Sequence, residues 1–196
     1  MTTKITANNI ITALSPALTK PVIQCPFWVK QAATLAYPPN PKYGRTQHKT
    51  TAATFHPELC IRIPNRKTNR FGKPKPQNRY VDLLALVQAH YKITDPLIIG
   101  VEIKVAKSDL MNDKKIKDYL PYCHLFYLAV PHWMETLAYQ KLKQDKLTTV
   151  GLLLIDTAQN VTVAKLPTLT TVTMVHQKEV CTELLFRPIK RLRDNK

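Results

Sequence analysis

The chain has 196 residues, 44% of them hydrophobic and 8% aromatic, enough for one domain with a core and too few for two ordinary ones. That composition excludes a disordered or fibrous chain. With 29 Lys or Arg against 13 Asp or Glu the formal charge is +16, so a polyanion leads as the partner class, nucleic acid ahead of anionic membrane.

Residues 1–24 read as a loosely ordered lead-in, and PFWVKQAATLA (26–36) reads as a short helix opened by Pro26. Residues 37–54, rich in Pro, Gly, Asn and Thr, read as a loop. The period then becomes two. ELCIRIP (58–64) predicts a strand with Leu59, Ile61 and Ile63 on one side and Cys60 and Arg62 on the other. YVDLLALV (80–87) and PLIIGVEIKVA (96–106) are apolar and β-branched enough for central strands, joined by an extended turn over 88–96. Between the first two strands, residues 64–78 carry Arg66, Lys67, Arg70, Lys73 and Lys75 with no acid, and read as a basic hairpin arm with Phe71 at its tip.

Ser108 predicts the cap of one helix running through DLMNDKKIKDYL to Pro121, with Asp109 in its first turn. A strand at 124–130, a helix at 133–143 and strands at 149–155 and 160–165 follow, and the basic tail 187–196 reads as frayed. The order predicts an α/β (α+β) fold with a mixed central sheet flanked by helices. The main domain is expected over 55–186, after a basic extension over 1–54 and before the tail.

Residues 1–80 hold 13 Lys or Arg and a single acid, Glu58, hence +12 of the +16. A basic first part on a near-neutral body suits a docking surface joined to a core. Cys25, Cys60, Cys123 and Cys181 form no C-x-x-C pair, which argues against a zinc knuckle and for free thiols in a reducing cytoplasm. No run approaches the roughly 18 apolar residues of a membrane span, so a cytoplasmic protein without membrane attachment is expected.

The chemistry-bearing feature lies in IIGVEIKVA. Alternation puts Ile99, Val101, Ile103 and Val105 on one face and Gly100, Glu102 and Lys104 on the other, so two opposite charges project from a strand that otherwise reads as core. Burying ions costs several kcal/mol each unless something compensates. Asp82, in the preceding strand, can converge with them if the strands are neighbours about 4.8 Å apart. Two carboxylates and a backbone carbonyl make a hard oxygen site suited to Mg²⁺. A lysine beside it can orient a water and offset transition-state charge as the ammonium, or deprotonate the water as the neutral amine, which is the equipment of phosphodiester hydrolysis. An E-x-K triplet alone is weak, because one chance copy is expected in about this length. Its place in a strand beside a second acid gives it weight; the alternative is a structural ion pair of Glu102 and Lys104.

V-D-L-L-A-L followed by V-E-I-K resembles the core of the PD-(D/E)XK nuclease superfamily, and SDLMNDKKIKDYLPYCHLFYLAVP is similar to its MmcB-like DNA repair branch. The resemblance spans residues 58–166 and is most specific from Tyr80 to Pro131, with Val81 where the motif has Pro. It implies a restriction-endonuclease-like core. Asp82 would be the first metal-binding acid and Glu102 the second, Ile103 would lend its carbonyl, and Lys104 would be the catalytic lysine. Mg²⁺ is the implied cofactor, with Mn²⁺ as a substitute. Asp109, Asp113, Lys115 and Tyr119 match helix positions of that branch, and Asp109, Asp113 and Tyr119 are the accessory candidates.

The helix acids have a plainer alternative, with Asp109 favouring the helix N-terminus and Asp113 pairing with Lys117. Lys107, Lys114 and Lys115 join the arm residues as phosphate contacts, or else form a solvated face. The expectation is a Mg²⁺-dependent DNA nuclease acting in repair, with a repair protein as a further partner. Two alternatives stand beside it: a sequence-specific restriction endonuclease, which would work as a homodimer, and a non-catalytic basic DNA-binding protein on a nuclease-like scaffold. RNA binding is weaker, since neither an aromatic RNP strand nor a K-homology glycine loop is present.

Overall fold

The alternating segments form β1 (Ala52–Thr68), β2 (Pro74–Gln88), β3 (Leu97–Ile103), β4 (Leu125–Pro131), β5 (Gly151–Ile155) and β6 (Val161–Lys165). The computed structural model describes residues 5–15, 26–36, 52–68, 74–88 and 96–194. The strands make one sheet in the order β1-β2-β3-β4-β5-β6, parallel at β3/β4 and β4/β5 and antiparallel elsewhere. A mixed sheet flanked by helices is the α+β architecture expected of a restriction-endonuclease-like core.

Each parallel step needs a crossover, and right-handed crossovers in one direction put their helices on one face. Here α3 (Lys107–Asn112) and α4 (Ile116–Tyr119) lie between β3 and β4, and α5 (Glu135–Gln144) lies between β4 and β5. Leu110, Ile116, Tyr119, Ala138 and Leu142 from these helices pack with Leu84, Ile98, Leu128 and Leu152 of the sheet. On the opposite face, α1 (Ala7–Leu14) and α2 (Phe27–Ala36) bring Ile10, Leu14, Trp28 and Ala32 against Leu83, Ile99, Val101 and Tyr127. Gly100 is required on the crossover side, because a Cβ there would meet Cys123 Sγ and the Phe126 ring at 2.6 Å.

The lead-in holds a helix that its sequence does not announce. Thr6 caps α1 and closes a box with Asn9, while Ile10 and Leu14, one turn apart, enter the core. The Trp28 indole N–H then ties α2 to α1 by donating to Leu14 O at 3.1 Å. At the other end, residues 187–194 continue a helix instead of forming a separate tail: α6 runs from Met174 to Asp194, with its side chains described as far as Leu185. Val180 is buried and Leu184, one turn on, packs against the crossover-side core, so the amphipathic first half supports the rest. The expected loop over 37–54 lies mostly outside the described residues, with β1 already running at Ala52. The tip of the arm (69–73) and residues 89–95 of the long turn also lie outside them.

The β1–β2 hairpin changes faces part-way along. Ala53 and Phe55 of β1 belong to the α1–α2 side, whereas Leu59, Ile61 and Ile63 belong to the crossover side. In β2, Leu83, Ala85 and Val87 lie on the first side and Val81 on the second. The register runs unshifted through Pro57↔Leu83 and Leu59↔Val81, so the reversal falls at Glu58 opposite Asp82. Glu58 has φ 51°, a left-handed residue inside a strand, and this breaks the two-residue alternation. Among the described residues no helix is long and apolar enough to cross a membrane.

The reversal is testable. Glu58→Gly should unfold at the same or slightly higher urea concentration than the parent, because glycine accepts positive φ freely. Glu58→Val should lose about 1–2 kcal/mol, since a β-branched residue is strained there. Equal midpoints for the two variants would contradict the assignment.

Candidate active site

Hydrogen bonding between β2 and β3 follows the ladder only to Leu83↔Val101. One step further the Ile103 N–H donates to Asp82 Oδ2 at 2.7 Å, so a carboxylate replaces the next backbone acceptor. On the other side β3 pairs with β4 as far as Ile103↔Ala129, and the Lys104 N–H donates to Ala129 O at 3.0 Å. Asp82, Glu102 and Lys104 therefore gather where the ladder opens, as the alternation implied. Glu102 and Lys104 are 3% and 6% exposed.

Lys104 Nζ is held by three carboxylates: Asp113 Oδ2 at 2.7 Å, Glu102 Oε1 at 2.9 Å and Asp109 Oδ1 at 3.4 Å. The single helix expected over 109–120 does not form. α3 starts after Ala106, without Ser108 as its cap, and α4 begins only at Ile116. Asp113 ends α3 in an extended conformation and accepts the Lys115 N–H on Oδ1 at 2.6 Å. It pairs with Lys104 and not with Lys117, because a buried ammonium gains more from a carboxylate than an exposed lysine does. Asp109 does lie in the first turn of its helix and contacts Lys104 as well.

Tyr119 is buried, stacks on Phe126 and donates its hydroxyl to Tyr80 O at 2.9 Å, which anchors the outer half of β2. Lys107, Lys114 and Lys115 are exposed around this end of the sheet. In the arm, Arg66, Lys67 and Lys75 lie on the strands of the hairpin, whereas Arg70, Phe71 and Lys73 lie outside the described residues. One positioning residue left no signal except an i,i+4 acid. Lys141 of α5 is buried, donates to Met111 O at the end of α3 at 2.8 Å and meets Asp145 at 2.9 Å. It braces the point at which Asp113 turns inward.

The charges do not balance. Burial, reinforced by the charge of Asp82, pushes Glu102 up to about 8. Burial also raises Asp82, against the opposing pull of the Ile103 N–H and Lys104. Burial would raise Asp113 too, but hydrogen bonds from Lys104 and the Lys115 N–H outweigh it and hold the carboxyl low. For Lys104, burial favours loss of the proton, yet Glu102 and Asp113 together hold it above the usual lysine range, as a charged ammonium.

Four carboxylates thus face one cation, and Glu102 Oε2 is buried with no hydrogen-bond partner among the described residues. That orphaned oxygen and the surplus of carboxyl groups over cations would suit a hard divalent cation, which Asp82, Glu102 and the Ile103 carbonyl would hold. Among the described residues no group of three or more His, Cys, Asp or Glu side chains is arranged as a metal cage. A cavity of about 210 Å³ adjoins the cluster, lined by Asp113, Lys114, Ile116, Lys117, Asp145 and Leu147. A larger one, about 400 Å³, lies between β1 and α6 and includes none of the cluster. Cys123 and Cys181 are free thiols.

No protein-family model matches the chain, and no curated protein matches it. Among solved structures it is similar to a protein of unknown function from Silicibacter pomeroyi, at 18% identity over 72% of this chain and 77% of that one, with a TM-score of 0.48. At that distance the likeness says nothing of the site.

Two predictions follow from the electrostatics. Folded Glu102 keeps its proton to about pH 8 and an unfolded one releases it near 4.5, so the folded state binds more protons in between and stability falls as pH rises across that window. In chelator, Glu102→Gln should melt close to wild type at about pH 5 and several degrees above it at about pH 9; parallel curves would sink the assignment. Asp113→Asn should cost about 1.5–3 kcal/mol at neutral pH, since it removes the shortest charged hydrogen bond to a buried ammonium that keeps Glu102 and Asp109. Asp109→Asn should cost under about 1 kcal/mol, because that side chain is 58% exposed.

Proposed function

We propose that the chain is a Mg²⁺-dependent DNA nuclease of the PD-(D/E)XK type, similar to the MmcB-like repair branch. The observation that carries this reading is the set of acids at the opened end of the β2–β3 ladder: Asp82 on the Ile103 N–H, and Glu102 with one oxygen on Lys104 and the other unpartnered. A bound divalent cation would supply Lewis acidity and lower the pKa of a water there.

The protein's own part follows from the geometry. Asp82, Glu102 and the Ile103 carbonyl would hold the ion. Lys104 is kept charged by Glu102 and Asp113, so it would act as a hydrogen-bond donor and positive charge toward a scissile phosphate or its attacking water, and not as a general base. Asp113 and Asp109 keep its ammonium aimed, and Lys141 holds Asp113 in place through the end of α3. The excess of cations in residues 1–80 and the exposed Lys107, Lys114 and Lys115 supply the backbone contacts a polyanionic strand needs.

The test is cleavage of supercoiled plasmid, single-stranded and forked DNA in Mg²⁺, with Mn²⁺ as a substitute. Lys104→Ala should lose about 100-fold or more in rate, and Asp82→Asn should lose activity as well, while both still bind DNA. Replacing Arg66, Lys67, Arg70, Lys73 and Lys75 with neutral residues should flatten the salt dependence of duplex binding by about 0.9 in log–log slope for each phosphate no longer neutralised. A palindromic cutter working as a dimer would show as paired cuts at one sequence and would favour restriction over repair. Intact DNA under all conditions, with tight binding by all three proteins, would leave a DNA-binding scaffold and overturn the nuclease reading.

A further inference from the structure

The site described above leaves one large side chain unused. Tryptophan is highly buried on average, and the two in this chain divide: Trp28 is packed between Phe55 and Tyr127, whereas Trp133 is 59% exposed. Trp133 lies in the single helical turn His132–Met134 that follows β4, and Lys107 opens α3 just after β3. Lys107 Nζ stands 5.9 Å from the centroid of the Trp133 ring. The pair therefore occupies the carboxyl ends of two adjacent parallel strands.

The carboxylate cluster is close along both strands. Lys104 bonds Ala129 across β3 and β4. Lys107 is the third residue after Lys104 and Trp133 the fourth after Ala129, so their Cα atoms are at most about 11 and 14 Å apart when fully extended. Backbone spans of that length keep the pair within a few nucleotides of the carboxylate cluster along a bound strand. An exposed indole gives a base a face to stack on, and the ammonium beside it gives the neighbouring phosphate a charge. A base inside a duplex is already stacked on its neighbours and must come out before an indole can take it.

We propose that Trp133 and Lys107 form a subsite for one unstacked nucleobase and its phosphate, which selects single-stranded or unpaired DNA at the carboxylate cluster. The inference rests on the DNA reading above and deepens it by naming the substrate class.

The full chain can be tested in chelator, where no cleavage is needed. Because Trp28 is buried, quenching of intrinsic fluorescence reports on Trp133. The ligands would be a short oligothymidine, a strand of the same length and charge with abasic residues, and a blunt duplex. The oligothymidine should quench strongly at saturation and the abasic strand weakly. By anisotropy of a labelled strand, Trp133→Ala should bind single-stranded DNA about tenfold more weakly and duplex DNA unchanged, with Trp133→Phe recovering most of the loss. Equal quenching by the abasic strand, unchanged single-strand affinity in Trp133→Ala, or no single-strand binding by wild type would each overturn the subsite. Mg²⁺-dependent cutting that persists without base-dependent quenching removes the subsite alone. Base-dependent quenching by a protein that cuts nothing removes the nuclease reading and leaves the subsite standing.

Discussion

The ammonium of Lys104 organises its surroundings. A lysine with so little exposure forfeits most of its hydration, and only neighbouring carboxylates can replace it. Three are supplied from two elements: Glu102 from β3, and Asp109 and Asp113 from the start and the end of α3. To deliver the third, the chain gives up a continuous helix between Lys107 and Tyr119 and lets Asp113 turn inward, with its second oxygen satisfied by the Lys115 N–H. Lys141 then secures the free carbonyl at the end of α3. What looks like an interrupted helix is the outcome of a competition between local propensity and a buried charge.

The cluster is nonetheless too acidic for one lysine. Asp82 and Glu102 are both raised by burial, and Glu102 feels Asp82 as well, so the two carboxylates nearest the opened ladder are the least comfortable in the absence of a second cation. Around this acidic centre the chain is basic, most of all over residues 1–80. A polyanion drawn in by the exterior would meet negative charge at the centre. On the proposed reading, a divalent ion would resolve that conflict between attraction outside and repulsion inside.

Asp82 reaches this place through a reversal in the hairpin. Because Glu58 is left-handed, the outer part of the hairpin joins the crossover-side core, where α6 packs on it, while the inner part joins the core shared with α1 and α2. Asp82 lies opposite the reversal, where regular pairing with β3 has also stopped, so its carboxylate is free of the ladder and takes the Ile103 N–H. Tyr119 fixes the outer segment by bonding Tyr80 O.

The strands, the mixed sheet and the convergence of Asp82, Glu102 and Lys104 were legible from the sequence because two-residue alternation is local, and a charge on the wrong face of an apolar strand shows directly in the pattern. Other features were not. α1 is short and rests on its Thr6–Asn9 cap and on Trp28, a partner from another helix. The Lys-rich and Arg-rich end of α6 is carried as helix by the half that packs on the sheet. For Asp113 the sequence left two readings open, a pair with Lys117 on its own helix or a place beside the site, because helical spacing knows nothing of Lys104, nine residues earlier just past the end of β3. The sequence by itself determined which residues are apolar, in what period, and where charge intrudes. Only the tertiary structure decided how that charge is neutralised, since the partners of a buried ion are chosen by distance in space and by the water it has lost.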